Sequence, residues 1–373
     1  MFRLIHSSDL HLGKRFGNFS GDLPSRLREA RHAVLSRLAH HAREHGATTI
    51  LLAGDTFDVE TPAPDVRRQA LAEMRDHAPL RWVLLPGNHD SLQASELWAT
   101  LASEAPANVL LATEPRPIAL ADDAFLLPAP CTTRRPGRDV SEWMDAAATP
   151  DGAIRLGLAH GPIRSFSEDA VAADVIAPDR ARRAHLDYLA LGDWHGALQV
   201  DDRTRYSGAP EPDRFKHARA GEALLVAIDG PAATPEVSSF VTQSFAWTSH
   251  ALHLLGDDDP AAGLDALLPR DNRRQSLARV AATGRVHLAQ RTALTRAIEL
   301  ARPDFAFLDL HDQDLLSECD AQDLDLIERS GALREAANAL QAEAIDESRS
   351  FADREIAGAA LARLYAYAQD IAR

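Results

Sequence analysis

Asp9-Leu10-His11, Gly54-Asp55-Thr56-Phe57-Asp58, Gly87-Asn88-His89-Asp90, His160-Gly161 and Gly192-Asp193-Trp194-His195 each close an apolar run with residues that ligate metal ions. Their carboxylate oxygens, amide carbonyl and imidazole nitrogens suffice for two adjacent divalent cations. Two such cations serve the hydrolysis of a phosphate ester, because they neutralise charge on the phosphoryl oxygens and activate a water. An isolated Asp-x-His or Asn-His is usually a solvated turn, so the reading rests on the ordered combination. Leu10 separates Asp9 from His11, which in an extended segment puts both side chains on one side. Gly87 allows the sharp turn that presents Asn88 and His89 together.

These residues need a frame. Residues 2–8 read as a buried strand, and 25–45 as a helix with Leu27, Ala30, Val34, Leu38 and Ala42 three and four apart. Thr48–Ala53 is a strand running into Gly54-Asp55; a helix follows near 65–77, then a strand over Arg81–Leu85. Ile154–Ala159 delivers His160, and Tyr188–Leu191 delivers Asp193 and His195, with loop and short helix over 168–186 between them. Strands alternating with helices, each with its polar residues at the carboxyl end, describe an α/β sheet whose ligands sit outside those ends. Ala223–Ile228 is a further strand, and Gly230–Pro235 reads as a turn or linker. The expected organisation is a catalytic domain over 1–240, a small α+β cap over 241–320, and a helical tail over 321–373 that is a candidate docking segment. The cap is built from Ser276–Leu288, a helix at 290–301 and Phe305–Leu310. In the tail, Ile356, Ala360, Leu364, Tyr367 and Ile371 form a stripe whose default reading is packing on its own protein.

Composition is ordinary for a globular chain of 373 residues, with 45% hydrophobic and 25% charged side chains. A net charge of −15 argues against non-specific coating of nucleic acid. Residues 301–373, however, carry 16 acidic against 7 basic side chains, whereas the first 50 carry 8 basic against 4 acidic. A DNA substrate is therefore not excluded, and any basic surface must be local. A ligand as early as residue 9 leaves no room for a cleaved signal peptide, and no later run has the length of a membrane span. Two cysteines, Cys131 and Cys319, fit a reducing compartment, so a cytoplasmic protein is expected.

The order of the five motifs resembles the calcineurin-like metallophosphoesterases. His6-Ser-Ser-Asp-Leu-His-Leu-Gly13, Ala53–Asp58, Thr61-Pro62-x-Pro64, Tyr188-x-Ala190-Leu191-Gly192 and Tyr206–Glu211 narrow the likeness to the SbcD-type DNA repair exonucleases. The resemblance covers residues 1 to about 225. It implies a β-sheet sandwich flanked by helices and two divalent cations, with Mn²⁺ favoured. One ion would be held by Asp9, His11, Asp55 and His195, the other by Asp55, Asn88, His160 and Asp193, with Asp55 bridging. His89 would contact the phosphate, Asp90 would orient His89, and Asp58 would position substrate or water. The nucleophile would be a metal-bound hydroxide. An SbcC-like coiled-coil ATPase and a second copy of the chain are the implied partners. Asp193 departs from the family pattern, which has His there; an aspartate oxygen makes the site harder and more negative, in line with Mn²⁺.

Lys14 and Arg15 follow the first motif, and Arg214 and Lys216 follow the Tyr206–Glu211 loop; both pairs are candidates for DNA phosphates, with solvated surface charge as the default. His185 and His217 carry no assignment. Two other readings stay open: a phosphoesterase acting on cyclic nucleotides, small diesters or phosphoproteins, and a non-catalytic DNA-end scaffold in which Asp193 marks a degraded site.

Overall fold

The computed structural model describes residues 1–163, 175–216, 220–256, 258–319, 321–328 and 330–371. His217 and residues 168–174 of the expected loop lie outside them. The chain divides into two units, Met1–Phe245 and Ala246–Arg373.

The first unit runs β1 (Phe2–Ser7), α1 (Leu23–Glu44), β2 (Thr49–Leu52), α2 (Pro64–Asp76), β3 (Arg81–Leu84), α3 (Ser95–Glu104), β4 (Val109–Leu111), β5 (Ile118–Ala121) and β6 (Ala124–Ala129). It continues with β7 (Ile154–His160), α4 (Arg180–Arg183), β8 (Tyr188–Gly192), β9 (Leu198–Gln199), β10 (Thr204–Tyr206), β11 (Glu222–Ile228) and β12 (Glu236–Val241). Two six-stranded sheets result, in the orders β12-β11-β1-β2-β3-β4 and β5-β6-β7-β8-β10-β9.

Near-continuous apolar strands explain the layering, because successive side chains point to opposite faces and here both faces are covered. Ile5, Ile50, Leu52, Trp82 and Leu84 pack with Val34, Leu35, Leu38 and Met74 of the helices. Their neighbours Leu4, Leu51, Ala53, Val83 and Leu85 face inward and meet Leu126, Ile154, Leu156, Leu158, Tyr188 and Ala190 of the second sheet. Leu189 and Leu191 then point outward, onto Met144, Ile163 and Ala181. The expected sandwich with flanking helices is what these alternations build.

Strands β1, β2 and β3 run parallel, as do β7 and β8. The carboxyl ends that carry the five motifs therefore come out of two sheets at one edge. Several elements escaped the sequence reading here, among them β12, β5 and β6. Gly230–Pro235 is the turn of a hairpin, since β12 pairs antiparallel with β11; its Glu-Val-Ser-Ser-Phe-Val strand is half polar because it lies at the sheet edge. The hairpin-paired β5 and β6 carry too short an apolar signal to separate from a loop.

The second unit holds β13 (Ala246–Leu254), α5 (Pro260–Leu267), β14 (Ser276–His287), α6 (Leu288–Ala301), β15 (Phe307–Glu318), α7 (Ala321–Ile327), α8 (Ala332–Ile345) and α9 (Phe351–Ile371). Its strands form a parallel sheet in the order β13-β14-β15, so the expected strand–helix–strand gains a strand in front. The tail stripe is displaced by one position. Ala357, Leu361 and Tyr365 are the residues α9 buries, against Leu288, Leu324, Ile327 and Ala337. Ile356, Tyr367 and Ile371 are 67%, 65% and 85% exposed, so most of the stripe read from the sequence does not pack.

Candidate metal centre

The loop after β1 is not extended. Asp9 and His11 have φ of 56° and 44°, and Asp55 and Asp193 stand at 53° and 98°. Non-glycine residues seldom adopt that region, and when they do the surroundings impose it, most often at functional sites. Backbone pairing does so here. Asp9 N, His11 N and Leu12 N donate to the carbonyls of Gly54, Asp55 and Thr56, laying the first motif along the second. Two glycines make the convergence possible. Gly54 has φ +91°, and a Cβ on it would lie 2.2 Å from His160 Nδ1; a Cβ on Gly87 would lie 2.2 Å from Asp55 Oδ1.

Around this edge the side chains gather in three overlapping groups, one of them His11, Asp58 and His89. Asp9, His11 and His195 have ligand atoms within 4.8 Å of one another, and so do Asp9, Asp55 and His160. His11 Nε2 is 3.8 Å from Asp55 Oδ2; His160 Nε2 is 3.6 Å from Asp55 Oδ2 and 3.9 Å from Asp193 Oδ1. Asn88 Nδ2 donates to Asp193 Oδ1 at 3.0 Å. Asp9, His11, Asp55 and His160 are at most 2% exposed. All seven residues expected as ligands thus face a common centre.

The donor set fits cations by its hydrogen bonding. His160 Nδ1 donates to the Ala53 carbonyl at 2.8 Å, which sets the tautomer and leaves Nε2 aimed at the carboxylates. That Nε2 and Asn88 Oδ1 are buried without a hydrogen-bond partner. Buried polar atoms are rarely left so, and an orphan nitrogen beside carboxylates together with an orphan amide oxygen is what a metal site presents. Burial opposes charge on His160, yet the carboxylates of Asp55, Asp9 and Asp193 outweigh it and lift the ring to about 9. A cation in the same place would do the work of that proton. Burial also raises Asp193, while on Asp9 it is overcome by His160, His195 and His11, which lower the carboxyl.

The flanking residues take parts the sequence did not assign. Asp90 does not orient His89: its carboxylate accepts from Gly87 N at 2.7 Å and from Phe57 N at 3.0 Å, tying the second and third motifs together. Burial and the neighbouring Asp55 push it up to about 7. His89 is held instead by the Asp58 carbonyl, 2.9 Å from its Nδ1. The Asp58 carboxylate braces His11, with Oδ1 3.3 Å from Nδ1. Of the expected phosphate contacts, Lys14 pairs with Asp213 at 2.6 Å and Arg214 with the same carboxylate at 2.9 Å, while Arg15 and Lys216 are exposed.

Ser8, Arg31 and Asp213 went unread. Ser8 Oγ donates to Asp9 Oδ2 at 2.5 Å and meets Ser207 Oγ at 2.9 Å. Arg31, on α1, is fully buried and donates to the carbonyls of Leu10 and Glu211. Buried Asp213 lies 4.0 Å from His195 Nδ1. Ser8 adjoins a ligand and Asp213 adjoins Arg214, but an arginine among the apolar positions of a helix gives no local signal. Deeper still, His6 Nε2 donates to the Leu191 carbonyl, so its Nδ1 accepts from Tyr188 Oη at 2.9 Å, linking the sheets below the site.

A model of the calcineurin-like phosphoesterases matches residues 2–197. The SbcD component of the nuclease SbcCD from Escherichia coli strain K12 and its counterpart from Escherichia coli O157:H7 are each 36% identical to the chain over 93 residues, 24% of this chain and 22% of the relative. One solved structure aligns over 64% of this chain and 98% of its own at 11% identity and a TM-score of 0.40, too low to bear on the fold. Among the described residues, no helix is long and apolar enough to cross a membrane.

Proposed function

Since this chain belongs to the calcineurin-like phosphoesterase family, we propose that it is a Mn²⁺-dependent DNA nuclease of SbcD type, hydrolysing phosphodiesters at strand ends or hairpins. The observation that carries the reading is the edge at which two sheets bring seven oxygen and imidazole donors together, with Asn88 Oδ1 and His160 Nε2 buried and without a hydrogen-bond partner. The short but 36% identical stretch shared with one subunit of a nuclease supports a nucleic acid over other phosphate esters.

Asp9, His11, Asp55 and His195 would hold one cation, and Asp55, Asn88, His160 and Asp193 the other. When bound, the two cations neutralise phosphoryl charge and lower the pKa of water. Asp193 adds a hard oxygen where an imidazole would be softer, which favours Mn²⁺. The protein's own contribution to proton movement is His89. Because its Nδ1–H is spent on the Asp58 carbonyl, any proton it gives or takes moves at Nε2. Protonated, that nitrogen stabilises a developing phosphoryl oxyanion or protonates the departing 3′ or 5′ oxygen.

Partnership with an SbcC-like ATPase belongs to the same proposal. The matched relatives are, by name, one subunit of a nuclease, SbcCD, and α9 leaves Phe351, Ile356, Tyr367 and Ile371 exposed. Removal of residues 351–371 is expected to abolish co-purification with such an ATPase and to spare hydrolysis of simple diesters.

The direct test is release of nucleotides from end-labelled linear duplex in Mn²⁺, wild type against His89→Ala. Cleavage lost in the variant supports the assignment. Wild-type hydrolysis of bis(p-nitrophenyl) phosphate without any cleavage of DNA, with the ATPase present, would point to a small-diester phosphoesterase.

A further inference from the structure

Trp194 stands between two candidate ligands, Asp193 and His195, and is 48% exposed, whereas Trp82 and Trp98 of the same unit are 0% and 6% exposed. Exposing an indole forgoes the largest apolar contact a side chain can make. Here it forms one wall of a cavity of about 550 Å³ that begins at Asp193 and His195. Ala197, Leu198 and Pro212 supply further apolar walls, and the exposed Arg214 and Lys216 also line it. A Cβ at Gly196 would come 3.1 Å from Trp194 Nε1, so the glycine leaves the indole its space. Arg214 is anchored through Nε to Asp213 at 2.9 Å.

An aromatic wall, small apolar surfaces and two cations, all beside a phosphate-hydrolysing centre, suit a flat heteroaromatic ring joined to a phosphate. We propose that this cavity is a nucleobase subsite in which the base next to the scissile phosphate stacks on Trp194 while Arg214 and Lys216 meet the flanking phosphate. The proposal rests on the phosphodiesterase reading above and narrows its substrate. A base paired inside a duplex has both faces covered by its neighbours, so the subsite accepts a base turned out of the stack. Frayed ends, single strands and hairpin loops are then preferred to duplex interior.

The test compares ligands that differ only in the base. Calorimetric titration in Mn²⁺ measures thymidine 5′-monophosphate against 2-deoxyribose 5-phosphate, on wild type, Trp194→Ala and Trp194→Phe. Stacking of one base on an aromatic side chain is worth about 5- to 150-fold in affinity. Wild type is expected to prefer the thymidylate by a factor in that range, Trp194→Ala to lose the preference, and Trp194→Phe to keep most of it. A wild-type ratio near one, or a ratio unchanged in Trp194→Ala, overturns the subsite. Circular dichroism checks that each variant is folded, and Trp194→Leu, which keeps an apolar side chain without an aromatic face, takes the place of the alanine variant if that one is not, with the same loss of preference expected. Hydrolysis of bis(p-nitrophenyl) phosphate is read on the same preparations to keep the two claims apart. Base preference without hydrolysis sinks the phosphodiesterase reading and leaves the subsite, and hydrolysis without base preference does the reverse. Competition by a short oligothymidylate and by a cyclic mononucleotide then assigns the base to a strand or to a small diester.

Discussion

Gly54→Ala is the substitution with the largest expected consequence for the fewest added atoms. The new methyl group would lie 2.2 Å from Nδ1, 2.5 Å from Cγ and 2.8 Å from Cβ of His160. Restoring an ordinary contact of about 3.5 Å requires a relative shift of roughly 1.3 Å. His160 has nowhere to go, being 2% exposed and hydrogen-bonded to the Ala53 carbonyl. Overpacking of this kind costs about 1–3 kcal/mol, and alanine at a left-handed φ about 1–2 kcal/mol more. A total of about 2–5 kcal/mol lowers Tm by roughly 4–20 °C in a unit of this size. Gly21→Ala separates the two contributions. Gly21 has φ +68°, but a Cβ there meets nothing within 4 Å, so it carries the backbone cost alone, roughly 2–8 °C. Displacement of a ligand by about 1 Å is also worth on the order of 100-fold in rate. Thermal melts and initial rates on bis(p-nitrophenyl) phosphate in Mn²⁺ therefore read the same collision twice. Equal Tm and equal kcat for Gly54→Ala and Gly21→Ala would refute it.

Saturating Mn²⁺ should stabilise the fold, by about 2.7 kcal/mol at 100-fold over Kd, with EDTA reversing the gain and His160→Ala abolishing it; a melt indifferent to Mn²⁺ and to EDTA would remove the metal centre. Asp90→Ala leaves the Gly87 and Phe57 amides without their acceptor; at about 1–3 kcal/mol for each, chemical denaturation should show a loss of about 2–6 kcal/mol, and a loss below about 1 kcal/mol would contradict the tie between the motifs. For Asp213, burial opposes the charge, but Arg214, Arg31 and Lys14 outweigh it and hold the carboxyl well below the usual range. A folded pKa below the unfolded value of about 3.9 gives stability that is complete above that pH and lost as pH falls through it toward the folded pKa. Asp213→Asn should therefore be clearly less stable than wild type at pH 7, with the gap closing as denaturation is repeated below about pH 4; a gap independent of pH would mean that the charge is not what matters.

Most of the candidate site was legible because its signals are local. Each candidate ligand closes an apolar run, and the residues that let the runs converge are glycines adjacent to the candidate ligands. The parts that were missed are those whose cause lies far along the chain. Asp90 looks like a partner for its neighbour His89, but its carboxylate is claimed by amides at Gly87 and Phe57, the latter 33 positions away. Arg31 sits among the apolar positions of α1, and only the folded chain reveals the Leu10 and Glu211 carbonyls that receive it. The extended reading of Asp9-Leu10-His11 failed for a similar reason. Period-two spacing describes an isolated strand, whereas here the backbone bends to pair with Gly54, Asp55 and Thr56. In α9 the helical period was right and the phase was not, since alanine, leucine and tyrosine fill the buried face while Ile356 and Ile371 point outward.

The division of the candidate ligands between sheets has a mechanical meaning. Asp9, His11, Asp55 and Asn88 follow β1, β2 and β3, while His160, Asp193 and His195 come from β7 and β8. Neither sheet alone holds the full donor set. The sheets are fastened near the site by His160 to the Ala53 carbonyl, by Asp193 N to the Asp9 carboxylate, and by the hydrogen bonds that tie His6 to Tyr188 and Leu191. Without cations the carboxylates of Asp9 and Asp55 on one sheet repel Asp193 on the other, opposed mainly by a protonated His160. Two divalent ions would replace repulsion with shared ligation, with Asp55 common to both. Affinity for the metal and cohesion of the sandwich are then one free energy seen from two sides, because whatever loosens the seam separates the ligands, and whatever binds the ligands closes the seam.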